Sequence, residues 1–422
     1  MNIKKTLVIG SILSLGLGVV GCGDKATSTN TNHSQTVEFW YALPGASGQV
    51  VQKLVQQFNE THKDIRVNAT FIPTNERLQK LTAALGTGDP PDLYTAGPPE
   101  IGQLQGSNQI VSISDLTSGK LSMDTFFPAL RSVAGINKKL WAMPVSAGVI
   151  ALYYNKDLFQ KAGISTPPKT WNEMIQDTIK LTNHSKGQYG IVLPTSPDIY
   201  TTSVWQCFLW ENGGHLLTPD RKKAVFNSKE GVEALQLWVD LVHKYKVAPL
   251  KNLNEIINMQ TFGTGQVGMV PAMPLFVETA SKFPFQTGTA IMPSEKIKST
   301  TLGGWYLIIP NKSKHQQAAK TFLEWLHQPQ NGAKWNIGTG SIPTDPNIYK
   351  SGVYQDYVKK TPLVKPFVDE MDYAKAPPAI KQYAQISKLI AIAINNALYQ
   401  KETPKQALDE AAQKANRLLE GK

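Results

Sequence analysis

Cysteine is close to absent: the 422 residues hold two, Cys22 and Cys207. A disulfide framework is thereby excluded as the source of stability, and the fold must rest on core packing. No Gly-x-Ser-x-Gly stretch marks a nucleophile on a strand-to-helix turn. The histidines at 33, 62, 184, 215, 243, 315 and 327 are too scattered for a helical metal pair, so neither a metal nor another cofactor is expected. Acidic residues are plentiful, yet none pair in the way a glycosidase acid and base must. No solenoid-length repeat is present. The most apolar run, Leu7 to Val20, falls short of the roughly 20 residues that span a bilayer. Acid is also the minority charge: 32 Asp and Glu against 43 Lys and Arg leave a formal +11. A basic surplus can mean nucleic acid, but on an exported chain it reads as surface facing anionic headgroups and cell wall, and no nucleic-acid partner is expected.

Export is what the first residues indicate. Lys4 and Lys5 precede the apolar run, which ends in Val19-Val20-Gly21-Cys22. That order is a signal n-region and h-region, and its end looks like a bacterial lipobox. The expectation is a signal peptide over 1–21, removal before Cys22, and acylation of the Cys22 thiol. One acyl chain holds a protein only marginally, so stable anchoring implies several. Residues 22–35 are polar and aperiodic and read as a flexible tether to the outer face of the bacterial cytoplasmic membrane.

Beyond the tether the pattern alternates between strand and helix. Thr36 to Tyr41 is strand-like and breaks at Leu43-Pro44-Gly45. Val50, Val51, Leu54, Val55 and Phe58 recur at helical spacing, and Ile65, Val67, Ala69 and Phe71 alternate as a second strand. Asn75 to Leu85 reads as a helix, and Asp92-Leu93-Tyr94 opens a third strand. This order predicts an α/β fold with a parallel sheet covered by helices, and ligands beyond the carboxyl ends of its strands. The same grammar resumes after Trp141, with a capping box at Thr170 and Glu173 and a helix over Gln316 to His327. Val232, Leu235, Val239 and Val242 line one side of a further helix, and Gln382 to Leu419 is helical with a break at Thr403-Pro404. A chain of this length exceeds what one core serves, which predicts two lobes.

Five stretches in order carry a family resemblance: Gly88-Asp89-Pro90-Pro91-Asp92-Leu93, Leu152 to Gly163, Thr170-Trp171-Asn172-Glu173, Phe262 to Met269, and Gly303-Gly304-Trp305. Over essentially the whole mature chain they resemble the family 1 extracellular solute-binding proteins of ABC sugar importers. The resemblance implies a two-lobed periplasmic-binding-protein fold of type II with the ligand cleft between lobes. It places one lobe at 36–145 plus 274–328 and the other at 146–273 plus 329–422. It also implies a monomer that serves ABC importer permease subunits and is not an enzyme. Thr403 to Asp409 is similar to the ending of the glycerol-3-phosphate-binding branch, but Ser341 and the apolar surroundings of Ala379 depart from that branch's ligand residues. A phosphoryl group wants a fork of charged donors, so a neutral sugar, mono- or oligosaccharide, is the expected ligand. Glycerol phosphate or a glycerophosphodiester is the alternative. A secreted carbohydrate-active enzyme and a sensory lipoprotein are the rivals from other classes.

A sugar presents a face of C–H groups and a rim of hydroxyls, so its site needs aromatic planes and hydrogen-bonding groups. Trp40 and Tyr41 at the end of the first strand, Tyr200 and Trp205 at a helix start, and Trp305 beside the permissive Gly304 are the aromatic candidates. Glu76, Arg77, Ser146 and Ser341 are the polar ones, while Asp92 is read as a loop support.

Overall fold

A computed structural model describes residues 35–74 and 76–421. The expected signal peptide and Cys22 lie outside the described residues. In the first part of the chain, β1 (Gln35–Tyr41), α1 (Gly45–Thr61), β2 (Ile65–Phe71), α2 (Arg77–Thr87) and β3 (Leu93–Ala96) alternate as expected. The three strands run parallel with β1 in the middle. α1 buries Val51, Leu54, Val55 and Phe58, the face set by its apolar spacing, and α2 stops at Gly88, whose φ of 81° suits a glycine. α3 (Pro98–Gly106) and α4 (Pro128–Ala134) follow, and then β4 (Met143–Val149) leads across Ile150 into β5 (Ala151–Asn155).

β5 starts a second sheet. α5 (Trp171–Leu181) is closed at its start by the expected box: Thr170 Oγ1 accepts from Glu173 N at 3.1 Å, and Glu173 Oε2 accepts from Thr170 N at 3.3 Å. Next come β6 (Tyr189–Ile191), α6 (Ile199–Glu211), α7 (Lys229–His243), β7 (Val267–Ala272) and β8 (Thr287–Ala290). The second sheet has the order β8–β5–β7–β6, antiparallel except for β6 with β7. The buried stripe of α7 runs through Ala234, Leu235, Trp238 and Leu241, so the valines 232, 239 and 242 sit at its edge and Trp238 at its centre.

β9 (Thr300–Ile308) returns the chain to the first sheet, antiparallel to both β3 and β4. That sheet is therefore mixed, and the expectation of a purely parallel one is corrected: a strand re-entering from the second body arrives from the opposite end. α8 (Gln316–His327) and α9 (Pro329–Thr339) pack behind it, with α9 against α1 and β4. β10 (Ala374–Lys375) pairs with Thr300 and Thr301, and α10 (Tyr383–Leu398) with α11 (Pro404–Leu419) completes the chain against α6 and α7. Two large apolar cores result among the described residues: one lies under the first sheet and extends along one face of the second through Tyr153 and Val270, and the other covers the opposite face of the second sheet through Leu152 and Met269. β9 is tied to both bodies. Its Thr300 Oγ1 donates to Ile150 O at 2.7 Å and its Thr301 Oγ1 to Ser203 O of α6 at 2.7 Å, while Tyr306, Leu307 and Ile308 pair with β3.

Candidate functional site

The middle of β9 forms the floor of a cleft. Gly303, Gly304 and Trp305 pair with Gly148, Ala147 and Ser146 of β4. At Gly304 φ is 154°, and a Cβ there would fall 2.1 Å from the Ser146 carbonyl oxygen, so both backbone angle and space require glycine. The register shifts between Trp305 and Tyr306, a bulge of the kind that re-aims a side chain.

Trp305 is half-buried, and behind it lies Arg77, whose guanidinium carbon sits 4.8 Å from the indole centroid. Arg77 is itself buried at the start of α2. Its Nη1 donates to Thr95 O at 2.9 Å, to Tyr94 Oη at 3.2 Å and to Glu100 Oε2 at 2.5 Å. Glu100 Oε2 also accepts from Gly97 N at 2.9 Å. Burial raises the Glu100 carboxyl above its ordinary range, against the opposing pull of Arg77. The ion pair thus holds the ends of α2, β3 and α3 together behind the indole.

The cleft has a volume of about 350 Å³. Ala42 to Pro44 and Ser47 line it after β1, Thr74 after β2, Met273 to Leu275 after β7, and Thr339 to Ser341 after α9, with Ser146 to Gly148 and Gly303 to Trp305 beneath. Three of its hydroxyls, those of Ser146, Thr339 and Ser341, already have protein partners. Ser146 Oγ accepts from Trp335 Nε1 at 2.9 Å, and Ser341 Oγ accepts from Asn336 Nδ2 at 3.0 Å beside Thr339 Oγ1 at 2.9 Å. The cleft is mostly apolar with few placed polar groups, the usual character of a small-molecule site.

Of the residues singled out by sequence, Trp305, Gly304, Ser146 and Ser341 meet in this cleft. Arg77 stands behind it. Glu76 faces solvent and pairs with Lys80 at 3.1 Å, leaving Thr74 on the wall. Trp40 and Tyr41 stop short of it; the Tyr41 hydroxyl accepts from Gln52 Nε2 at 3.1 Å, and its ring lies 5.8 Å from Phe71. Tyr200 and Trp205 belong to the second core. Tyr200 Oη donates to Pro271 O at 2.8 Å, and Trp205 is 0% exposed. α6 is buried on nearly every side, so an aromatic on it meets core rather than ligand. Asp92 supports its loop, accepting from Glu38 N at 2.9 Å and Ser313 Oγ at 2.6 Å. Leu43, Pro44, Met273 to Leu275 and Thr339 were missed; for the first five strand-end signals existed, since each lies one to three residues past a strand end.

A second ionisable group matters at the junction of the two bodies. Glu370 is buried, accepts from Met292 N at 2.6 Å, and is pushed up to about 8 by burial. Glu211, at the end of α6, is also fully buried, and its carboxyl rises for the same reason, with Glu370 nearby adding to the effect.

The chain matches the bacterial extracellular solute-binding protein family over residues 42–333. It is 26% identical over 436 residues to the sn-glycerol-3-phosphate-binding periplasmic protein of Shigella dysenteriae, covering 97% of this chain and 96% of the relative. Among solved structures, the cyclic alpha-maltosyl-1,6-maltose binding protein of Arthrobacter globiformis superposes with a TM-score of 0.80 at 29% identity, covering 92% of this chain and 99% of that one. An ABC transporter solute-binding protein of Thermotoga lettingae bound with alpha-D-tagatose gives 0.77 at 27% identity, with 92% and 100% covered.

Proposed function

The chain belongs to the bacterial extracellular solute-binding proteins, and from that membership we propose that it captures a sugar, mono- or oligosaccharide, against Trp305 and delivers it to the permease subunits of an ABC importer. The observation that carries this reading is the half-buried Trp305 indole, backed by Arg77 on one side and set on a glycine-floored cleft. An aromatic plane held in place by packing is what the C–H face of a sugar ring needs. The names of two similar structures, a cyclic maltosyl-maltose binder and a tagatose complex, support the same ligand class.

Closure of two lobes around the ligand is the mechanism, with 36–145 and 274–328 in one lobe and 146–273 and 329–422 in the other. Within this division β8 pairs with β5, and α9 packs on α1, so each is an arm laid on the opposite lobe. Ligand shifts the open and closed populations only by its preference for the closed one. The protein acts as a binder without turnover, as a monomer held by lipid on Cys22 at the outer face of the cytoplasmic membrane. A glycosidase needs two carboxylates across the bond, and the described residues lining the cleft include neither Asp nor Glu.

A second reading, glycerol phosphate or a glycerophosphodiester as ligand, is favoured by the name of the Shigella relative, which spans nearly the whole chain. Thermal unfolding with neutral sugars, glycerol 3-phosphate and glycerophosphodiesters separates the two. A ligand at a hundredfold excess over its Kd adds about 2.7 kcal/mol to stability. The expected result is a shift with a neutral sugar that Trp305→Ala abolishes while leaving the unliganded midpoint nearly unchanged. A shift confined to phosphorylated compounds, in wild type and variant alike, would replace the sugar reading with the second.

A further inference from the structure

A second chamber, of about 490 Å³, lies between the two bodies, bounded by α4, the segment from Trp210 to Arg221 and the stretch 374–379. Its described lining carries three basic side chains, His215, Arg221 and Lys375, and no Asp or Glu. Of the acids nearest in sequence, Glu211 is fully buried with its Oε2 accepting from Trp171 Nε1 at 3.2 Å, Asp220 Oδ1 accepts from Thr218 Oγ1 at 2.6 Å and from Lys222 N at 3.2 Å, and Asp372 is exposed and forms no ion pair with Lys375. Lys375 is the pivotal group. It is half-buried, its position is fixed by the pairing of β10 with Thr301, and its ammonium lies 6.0 Å from the ring centroid of the buried Trp210. Among the described residues it forms no ion pair or hydrogen bond, and burial depresses its pKa. The buried Arg77 cation on the other side of β3 has Glu100 as its counter-charge, whereas Lys375 has none. A cation drawn out of water in a concave site and left without a counter-charge is costly unless an anion arrives.

We propose that this chamber is an anion subsite of the solute cleft, in which Lys375 neutralises a carboxylate or phosphate carried by the ligand. Spacing along β9 adds a length. Thr301, which pairs with Lys375, is four residues before Trp305, or roughly 13 Å at the rise of an extended strand. A solute that lies on Trp305 and reaches Lys375 is therefore an acidic sugar longer than a single ring. The subsite rests on the sugar-binding reading but adds a charge and a position to it. Arg221 and His215, both exposed at the rim, raise the local anion concentration and make the association salt-dependent.

Calorimetric titration of the full chain with matched pairs tests this: 4-O-α-glucuronosyl-glucose against maltose, and digalacturonate against its methyl ester. The acidic member of at least one pair should bind about tenfold or more tightly than its neutral partner, the scale of one charge-assisted contact. Lys375→Met should remove that advantage while leaving the neutral member's affinity in place, and Lys375→Arg should keep it. Binding of neutral members with no advantage for the acids, or an advantage that survives Lys375→Met, overturns the subsite and leaves the sugar reading standing. Binding by no member of any pair overturns both.

Discussion

Arg77→Met isolates the support behind Trp305. Methionine keeps much of the volume but removes the guanidinium, and with it the hydrogen bonds to Tyr94 at 3.2 Å and Thr95 at 2.9 Å and the charge facing Glu100. The two paired side chains are only 9% and 10% exposed, so water does not replace the lost partner. Removing one member of such a pair costs about 3–5 kcal/mol, because the other charge stays buried alone. Glu100 can escape by taking up a proton. Its carboxyl already sits above its ordinary 4.5, and without Arg77 it rises further. The folded variant then binds that proton more tightly than the unfolded chain does, so its deficit is small near pH 4.5 and grows as pH rises toward neutrality, by up to about 1.4 kcal/mol per pH unit. Urea unfolding of wild type, Arg77→Met, Glu100→Gln and the double variant, at about pH 4.5 and about pH 7.5, reads this directly. The double variant should recover much of the neutral-pH loss. A deficit equal at both pH values, or a double variant no better than Arg77→Met, would refute the buried-pair account.

Glu370→Gln should flatten the pH dependence of stability. With its folded pKa raised to about 8 against an ordinary 4.5, wild-type Glu370 contributes stability that is full below 4.5 and falls as pH rises through that window, which unfolding curves across it will show. Gly304→Ala should lower the thermal midpoint and weaken ligand binding together, by about 2 kcal/mol or more in stability, because its Cβ would sit 2.1 Å from the Ser146 carbonyl and β4 must move. Cys22→Ser should free the protein from membranes in a fractionation assay while leaving ligand affinity unchanged; retention on the membrane would count against lipid anchoring.

The helices with a clean apolar stripe were legible in the sequence nearly to the residue. α8 occupies Gln316–His327 as its spacing indicates, and α10 and α11 divide at Thr403-Pro404, where Thr403 caps the second helix. Their pattern is local, and a local pattern needs no knowledge of the rest of the chain. The direction of β9 was not legible, since it depends on the route by which the chain comes back from the second body. Trp305 could be placed because Gly303 and Gly304 signal close backbone approach. Tyr200 and Trp205 misled because α6 is apolar on all sides, and an aromatic in such a helix has the same sequence signature whether it faces ligand or core. The Thr339–Ser341 wall depends on the bridge between Ala147 and Ile342, a meeting of distant segments that no spacing rule reveals.

β9 is fastened at one end to Ile150 and Ser203 and at the other to β3, with Gly303 and Gly304 between the two anchorages. Any rotation of one body against the other must be absorbed by the strand, and the pair without side chains is its softest point. The same pair forms the floor of the cleft in which the sugar is proposed to sit. On the proposed reading, affinity and closing speed are therefore not separately adjustable: a bulkier residue at either glycine would alter the fit of the solute and the stiffness of the joint in one step. Variants there should move association rate and dissociation rate together, whereas changes at Ser47 or Thr74, on the rim, should act mainly on dissociation.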